Sequence, residues 1–159
     1  SLTLGNLIVE PFAVSHDAAD PIGINVFAGK DKATVVTDTG VISDSILRRM
    51  DDTTLLVLEA NYDPHMLRFG PYQPFLKQRV ASDEGHLSNE MAAQALLMMN
   101  RPDFMQVILA HRSENNNNAV LVTQTIGKML VDGGVRIGPE MKLQHGQPNE
   151  IVSMKSVKR

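Results

Sequence analysis

The chain contains 159 residues, of which 43% are hydrophobic and 21% charged, so it has the composition of a globular domain and not of a disordered segment. Its formal net charge of −3 gives no overall attraction to nucleic acids or anionic membranes, and no apolar run approaches transmembrane length, so we expect a cytoplasmic protein with no membrane partner. The absence of cysteine excludes disulfide bonds and thiolate ligands, so any transition metal must be held by histidines and carboxylates.

The first part of the chain predicts four strands and one short helix. Runs of apolar and β-branched residues predict strands at residues 6–14, 22–28, 33–37 and 54–58. The last of these runs is continuously apolar, which is typical of a strand buried on both faces. Between the third and fourth strands, Ser43 is a candidate N-cap for a helix over residues 44–50.

The rest of the chain predicts strands that alternate with helices. Residues 61–84 are interrupted by prolines and predict loops and short helices. The elements expected after this segment are helices at residues 89–99 and 118–130 and strands at residues 105–110, 141–145 and 151–157. This alternation predicts an α/β layered architecture. Because no repeat or linker interrupts the chain, we treat residues 1–159 as one unit.

Polar residues with chemical potential follow several of the predicted strands. His16, Asp38 and His111 come after the first, third and fifth strands, and Glu59 and Asn61 follow the fourth. Strands hold their ends rigidly, and functional sites collect in the loops that follow them, so we expect these residues to converge on one edge. Imidazole and carboxylate without thiolate form a ligand set for zinc, manganese or iron.

Each of these residues also has a simpler explanation. A histidine after a strand is more often a hydrogen-bonding residue than a ligand. Asp38 precedes Thr-Gly, which is ordinary turn chemistry, and His86 could simply precede a helix that Ser88 caps. His65 and His145 lie in less structured surroundings and are expected at the surface.

The order of the short motifs along the chain is more informative than any one residue. The chain runs through Ser-His-Asp, Thr-Asp-Thr-Gly, Glu-Ala-Asn-Tyr-Asp (residues 59–63), Gly-His-Leu-Ser-Asn (residues 85–89) and Ala-His-Arg-Ser. From about residue 11 to residue 119, this order resembles the YycJ/WalJ-like branch of the metallo-β-lactamase-fold hydrolases and, more distantly, the ribonuclease Z and β-CASP nucleases. The resemblance implies an α/β fold, namely the C-terminal half of the αββα metallo-β-lactamase sandwich.

The resemblance also implies roles for particular residues. His16 and His111 correspond to metal ligands, and Asp38 to the catalytic carboxylate that bridges two metal ions. His86 corresponds to an additional catalytic histidine that protonates the leaving group or holds the scissile phosphate. Asn61 and Asp63 fall where the branch has residues lining the site, and they are predicted to bind substrate.

The implied chemistry is hydrolysis of phosphodiester bonds in DNA or RNA, with an exonuclease the most direct parallel. Two divalent ions, zinc or manganese, would neutralise developing charge while a hydroxide attacks phosphorus. The family's His-x-His-x-Asp-His motif, which supplies most of the other ligands, is absent, and no two of the five histidines have His-x-His spacing. Three ligands are too few for two ions, because one catalytic zinc alone takes about three protein ligands. We therefore expect both ions only in the complete domain, and weak metal binding and no hydrolysis by this chain alone.

Three explanations of the missing motif stay open. The sequence is a fragment of a longer protein, or a separate chain supplies the N-terminal half, or the chain is a non-catalytic remnant or interaction subunit. A mononuclear module using only His16, Asp38 and His111 is a further alternative. We favour a fragment because the motif residues are intact. Uncovered apolar side chains such as Met91, Met98 and Val122 would then favour self-association or a tight partner that carries the first half.

Overall fold

A computed structural model describes residues 1–147 and 150–153. The described part contains strands β1 (Leu2–Leu4), β2 (Leu7–Ala13), β3 (Ile22–Ala28), β4 (Asp31–Val36), β5 (Leu55–Glu59), β6 (Met105–Ala110) and β7 (Met141–His145). Its helices are α1 (Asp44–Met50), α2 (Pro64–Phe69), α3 (Pro74–Val80), α4 (Asn89–Met98) and α5 (Ala119–Asp132). Within these ranges, no helix has both the length and the apolar character needed to cross a bilayer.

The seven strands form one mixed sheet in chain order. Neighbouring strands are antiparallel from β1 to β4 and parallel from β4 to β7. Strands β2, β4, β5 and β6 therefore run in one direction, and their carboxyl ends meet at one edge of the sheet. Because parallel connections are right-handed and each moves one place along the sheet, the crossover helices fall on the same face.

The hydrophobic core lies between that face of the sheet and the helices. The sheet contributes side chains that alternate along each strand, such as Leu56 and Leu58 of β5, which are fully buried. The helices contribute residues at helical spacing, such as Ile126 and Leu130 of α5. Ser43 caps α1 through a hydrogen bond from the backbone N–H of Ile46, as the sequence predicts.

The opposite face of the sheet is apolar but is not covered in the same way. It is formed by side chains that are partly exposed and lie outside the core cluster, including Val9, Ile24, Val35, Val57 and Ile108. The strand register places these residues in one continuous band across five strands. We call this band the open apolar face.

The predicted α/β class is confirmed, and three finer expectations are corrected. Strand β1 was not predicted, and all three of its residues are exposed. Val122, which we expected to be uncovered, is buried with 1% of its surface exposed, whereas Met98 at the end of α4 is 68% exposed. Residues 151–153 of the expected closing strand form no strand, and residues 154–157 lie outside the described residues.

Candidate metal centre

Five chain segments bring their polar residues together at the carboxyl edge of the sheet. His16, Asp38 and His111 follow β2, β4 and β6, and Glu59 is the last residue of β5. His86 comes from the loop before α4. The convergence expected from the sequence therefore follows from the common direction of these four strands.

The backbone is unusual at two of these positions. Asp38 and His111 have φ values of 54° and 51°, in the left-handed region that non-glycine residues rarely adopt. Only one other non-glycine residue in the described chain has a positive φ. Such strain costs of order 1 kcal/mol or more per residue and clusters at functional sites, so the surrounding structure must enforce these two conformations.

The imidazoles of three histidines surround the carboxylate of Asp38. The Nε2 atoms of His16 and His111 lie 3.7 and 3.6 Å from the same oxygen, Oδ1 of Asp38. The ring of His86 lies between the other two imidazoles, with centroid distances of 5.0 Å to His16 and 5.2 Å to His111. Three of the predicted site histidines and the predicted bridging carboxylate are therefore neighbours.

The carboxylate of Glu59 hydrogen-bonds to two of these imidazoles and holds them in position. Its side chain is fully buried, and its Oε1 accepts hydrogen bonds from Nδ1 of His86 at 2.8 Å and from Nδ1 of His111 at 2.6 Å. Its Oε2 accepts from the backbone N–H groups of Thr39 at 3.1 Å and Leu87 at 3.3 Å. Both oxygens are thus occupied, and Glu59 positions the imidazoles instead of acting as a ligand itself.

The charges in this group reinforce one another. Burial alone would raise the pKa of Glu59, but the hydrogen bonds from His111 and His86 outweigh it and hold the pKa below its ordinary value. The hydrogen bond to Glu59 raises the pKa of His111, against the opposing effect of burial. Glu59 is therefore an anion at neutral pH, although water does not reach it.

The same hydrogen bonds fix which ring nitrogens are free. A carboxylate or a carbonyl oxygen can only accept a hydrogen bond, so Nδ1 must carry the proton in His86, in His111 and in His16, whose Nδ1 donates to the carbonyl of Gly85 at 3.0 Å. In the neutral rings, Nε2 is then left with its lone pair. An imidazole fixed through Nδ1 by an outer partner is the usual arrangement of a metal ligand.

The distances suit a metal ion. Two ligand atoms about 2.1 Å from one tetrahedral ion lie about 3.4 Å apart, close to the two separations measured from Asp38 Oδ1. Potential ligand atoms of Asp38, His86 and His111 lie within 4.8 Å of one another, and a carboxylate oxygen of the supporting Glu59 lies within the same distance of each. The donor set is nitrogen and oxygen only, so it fits a divalent metal ion.

The other residues considered in the sequence analysis lie outside the group of imidazoles around Asp38. Asn61 borders the site, and its amide donates to the carbonyl oxygen of His111 at 2.8 Å, which helps to hold the strained backbone there. Asp63 caps α2 by accepting from the N–H of Met66, and it does not line the cleft beside the histidines. His65 is exposed, and His145 is half-buried and bonded to Thr123.

A buried amide pair also supports the site, although sequence reasoning did not identify it. Asn117 donates to the side chain of Asn89 at 2.8 Å and to the carbonyl oxygens of Ala60 and Asn61 at 3.0 and 3.1 Å. Asn89 returns a hydrogen bond to Asn117 at 3.1 Å. These bonds join the segments that follow β5, begin α4 and precede α5. The available sequence signal was the run of four asparagines at residues 115–118, but such a run is equally typical of a polar loop that ends in a helix cap.

An open cleft of about 380 Å³ lies beside the metal centre. Its walls include His16, His86 and His111, together with residues of α3 and residues 112–115 of the loop after β6. Arg79 of α3 donates two hydrogen bonds to Asp17, which ties the helix to the loop that carries His16. The site can therefore admit a ligand from solvent.

Comparisons with known proteins bear on the family to which this chain belongs. Residues 1–111 match the family model of the β-lactamase superfamily domain. The chain is 34% identical over 146 residues to exodeoxyribonuclease YycJ of Bacillus anthracis, and 33% identical over 147 residues to exodeoxyribonuclease WalJ of Streptococcus pneumoniae. Each alignment covers 92% of this chain and 55% of the relative, so the chain spans about half the length of these curated proteins.

Solved structures show the same fold at low sequence identity. The metallo-β-lactamase fold protein YhfI of Bacillus subtilis aligns with 90% of this chain and 49% of its own, with a TM-score of 0.60 and 15% identity. Zn(2+)-bound PqqB of Methylobacterium extorquens aligns with 89% of this chain and 46% of its own, with a TM-score of 0.56 and 15% identity. The fold predicted from the motif order is confirmed.

Proposed function

Because the chain belongs to the β-lactamase superfamily, we propose that it carries part of the active site of a metal-dependent nuclease that hydrolyses phosphodiester bonds in DNA. The observation that carries this proposal is the group of imidazoles around Asp38. Their Nε2 atoms are free to bind metal because each Nδ1 is hydrogen-bonded to Glu59 or to the carbonyl oxygen of Gly85. A structural histidine cluster would have no need for a buried carboxylate that orients two rings.

In this proposal, His16, His111 and Asp38 hold divalent ions, zinc or manganese. When bound, such ions supply Lewis acidity and make water a nucleophile near neutral pH. Glu59 keeps the imidazoles in the tautomer that can bind metal. His86 lines the cleft, and because its Nδ1 must carry a proton for Glu59, only its imidazolium form can donate from Nε2. That proton is available for the leaving oxygen or for a bound phosphate.

We propose DNA as the substrate because both curated relatives are named exodeoxyribonucleases. RNA is the alternative. Asn61, whose amide lies at the edge of the cleft, is a candidate for substrate contact, whereas Asp63 would act through the segment that it caps. An enzyme that acts on cellular DNA would work in the cytoplasm.

We propose further that the open apolar face receives a second sheet, supplied by the N-terminal half of the same fold in the same gene product or in a separate chain. Two observations support this. Side chains such as Val35, Val57 and Ile108 are partly exposed in a band next to the site, and the alignment covers only 55% of the length of the relative from Bacillus anthracis. Packed sheets bury such alternating apolar faces. The chain alone should then self-associate through this face, which sedimentation analysis would detect.

The test compares the intact product of the gene, whether or not it is longer than this chain, with the chain alone. Each is loaded with Zn²⁺ or Mn²⁺ and assayed on bis(p-nitrophenyl) phosphate and on single-stranded DNA. We expect hydrolysis by the intact product and little or none by the chain alone. His111→Ala should abolish the activity because it removes a ligand, and His65→Ala is the matched control because His65 is exposed and outside the site. No hydrolysis by a metal-loaded intact product would instead favour a non-catalytic interaction subunit.

A further inference from the structure

Arg112 lies at the boundary between two cavities. It directly follows His111, and it lines both the cleft beside the metal centre and an adjoining cavity of about 330 Å³. The adjoining cavity is also lined by Ala110, Glu114, Gly146 and Gln147. A ligand that extends beyond the metal centre in this direction must therefore pass Arg112.

The guanidinium of Arg112 is not neutralised within the described part of the chain. Its Nη1 is buried and has no hydrogen-bond partner, and the side chain forms no ion pair among residues 1–147 and 150–153. The other arginine of the cleft, Arg79, is by contrast bound to Asp17 through two hydrogen bonds. Glu114 lies on the same wall as Arg112, but their side chains form no ion pair.

The charge of Arg112 also acts on its surroundings. Burial lowers the pKa of His145, and the positive charge of Arg112 lowers it further. A buried N–H of a charged group without an acceptor costs free energy, so the site is suited to an anionic acceptor that residues 1–147 and 150–153 do not provide.

We propose that Arg112 binds a phosphate of the nucleic-acid strand adjacent to the phosphate held at the metal centre. This inference rests on the proposed function and adds a substrate contact that the metal ligands cannot make. The planar guanidinium fork of arginine matches the oxygens of a phosphate, and the contact is strong where water is partly excluded. The strand would pass from the cleft into the adjoining cavity over Arg112.

The test measures binding of deoxythymidine 3′,5′-bisphosphate and of a thymidine tetranucleotide by calorimetry, in EDTA so that metal makes no contribution. Arg112→Gln should weaken binding of both probes by about tenfold or more. It should also reduce the salt dependence of tetranucleotide binding by about one released ion. Arg112→Lys keeps the positive charge but not the planar fork of donors, so its affinity for both probes should lie between those of the wild type and Arg112→Gln. Arg136→Gln is the control, because Arg136 is exposed and ion-paired with Glu140 outside both cavities.

Equal affinity of the wild type and Arg112→Gln would overturn the inference, as would an equal loss in Arg136→Gln. Circular dichroism of each variant ensures that a loss of binding is not a loss of folding. The metal-free measurement also separates this inference from the proposed function. Failure of the metal-loaded intact gene product to hydrolyse DNA would contradict the nuclease, whereas the difference in binding between the wild type and Arg112→Gln still decides the phosphate contact.

Discussion

Replacing Glu59 with glutamine tests how the metal centre is positioned. The carboxylate accepts four hydrogen bonds, two from imidazole Nδ1 atoms on one oxygen and two from backbone N–H groups on the other. An amide has only one acceptor oxygen. Because the backbone N–H groups of Thr39 and Leu87 cannot change, we expect the amide oxygen to face them and the amide NH₂ to face His86 and His111. Both rings must then carry their proton on Nε2, which removes the lone pair that a metal needs.

The expected magnitude follows from these bonds. Hydrogen bonds to a charged group contribute roughly 1.5–3 kcal/mol each, and relief of a buried charge offsets part of the loss, so Glu59→Gln should lower the free energy of unfolding by about 2–4 kcal/mol. Loss of an outer partner lowers metal affinity roughly 10–100-fold, and here two imidazoles share that partner, so affinity should fall about 100-fold. Glu140→Gln is the control, since within the described part of the chain the side chain of Glu140 hydrogen-bonds only to Arg136, away from the site.

Three measurements check this prediction. Competitive titration with a zinc chelator gives metal affinity, urea denaturation gives stability, and the ¹⁵N shifts of the histidine rings give the tautomer. Wild-type metal affinity in Glu59→Gln, with the rings still protonated on Nδ1, would refute the positioning role that we assign to Glu59.

The remaining predictions concern stability. Asn117→Ala removes a buried amide (4% exposed) with five hydrogen bonds, so it should destabilise the protein by about 3–5 kcal/mol in urea, whereas the exposed Asn115→Ala should change stability by less than about 0.5 kcal/mol. Similar losses in both variants would contradict the role of the amide pair. Gly40→Ala would place a Cβ 2.2 Å from the backbone oxygen of Ser82, so this overpacking next to the site should cost at least about 1–3 kcal/mol and weaken metal binding. Gly127→Ala in α5 meets nothing closer than 3.8 Å and should stabilise the helix by roughly 0.5–1 kcal/mol; a destabilisation there would show that the packing around α5 is misjudged.

Regular elements with strong periodicity could be predicted from the sequence. Strand β6 and helix α1 begin and end where the apolar pattern and Ser43 predicted. Strand β1 could not be found, because an exposed three-residue strand has neither length nor a buried face. Helix α4 ends at Met98, one residue earlier than predicted, and the side chain of Met98 is exposed while those of Leu96 and Met99 are buried.

The residues at the strand ends that form the site could be predicted from the sequence, but the contacts that hold them in position could not. His16, Asp38 and His111 stood out because polar residues ended apolar runs, and the structure brings them together. Glu59 was recognised as a strand end without a role, because burial of a carboxylate depends on partners that are distant in sequence. The two imidazoles that bind it come from 27 and 52 residues further along the chain.

The central claim, that these residues hold a catalytic metal, is tested most directly by the metal content of the intact gene product. The purified wild type and the Asp38→Asn variant are each equilibrated with zinc, and excess zinc is removed by gel filtration. The bound metal is then measured by elemental mass spectrometry. We predict bound divalent metal in the wild type and a large loss in Asp38→Asn, because the carboxylate lies between the Nε2 atoms of His16 and His111. A wild-type protein without metal, or equal metal in both proteins, would contradict the account.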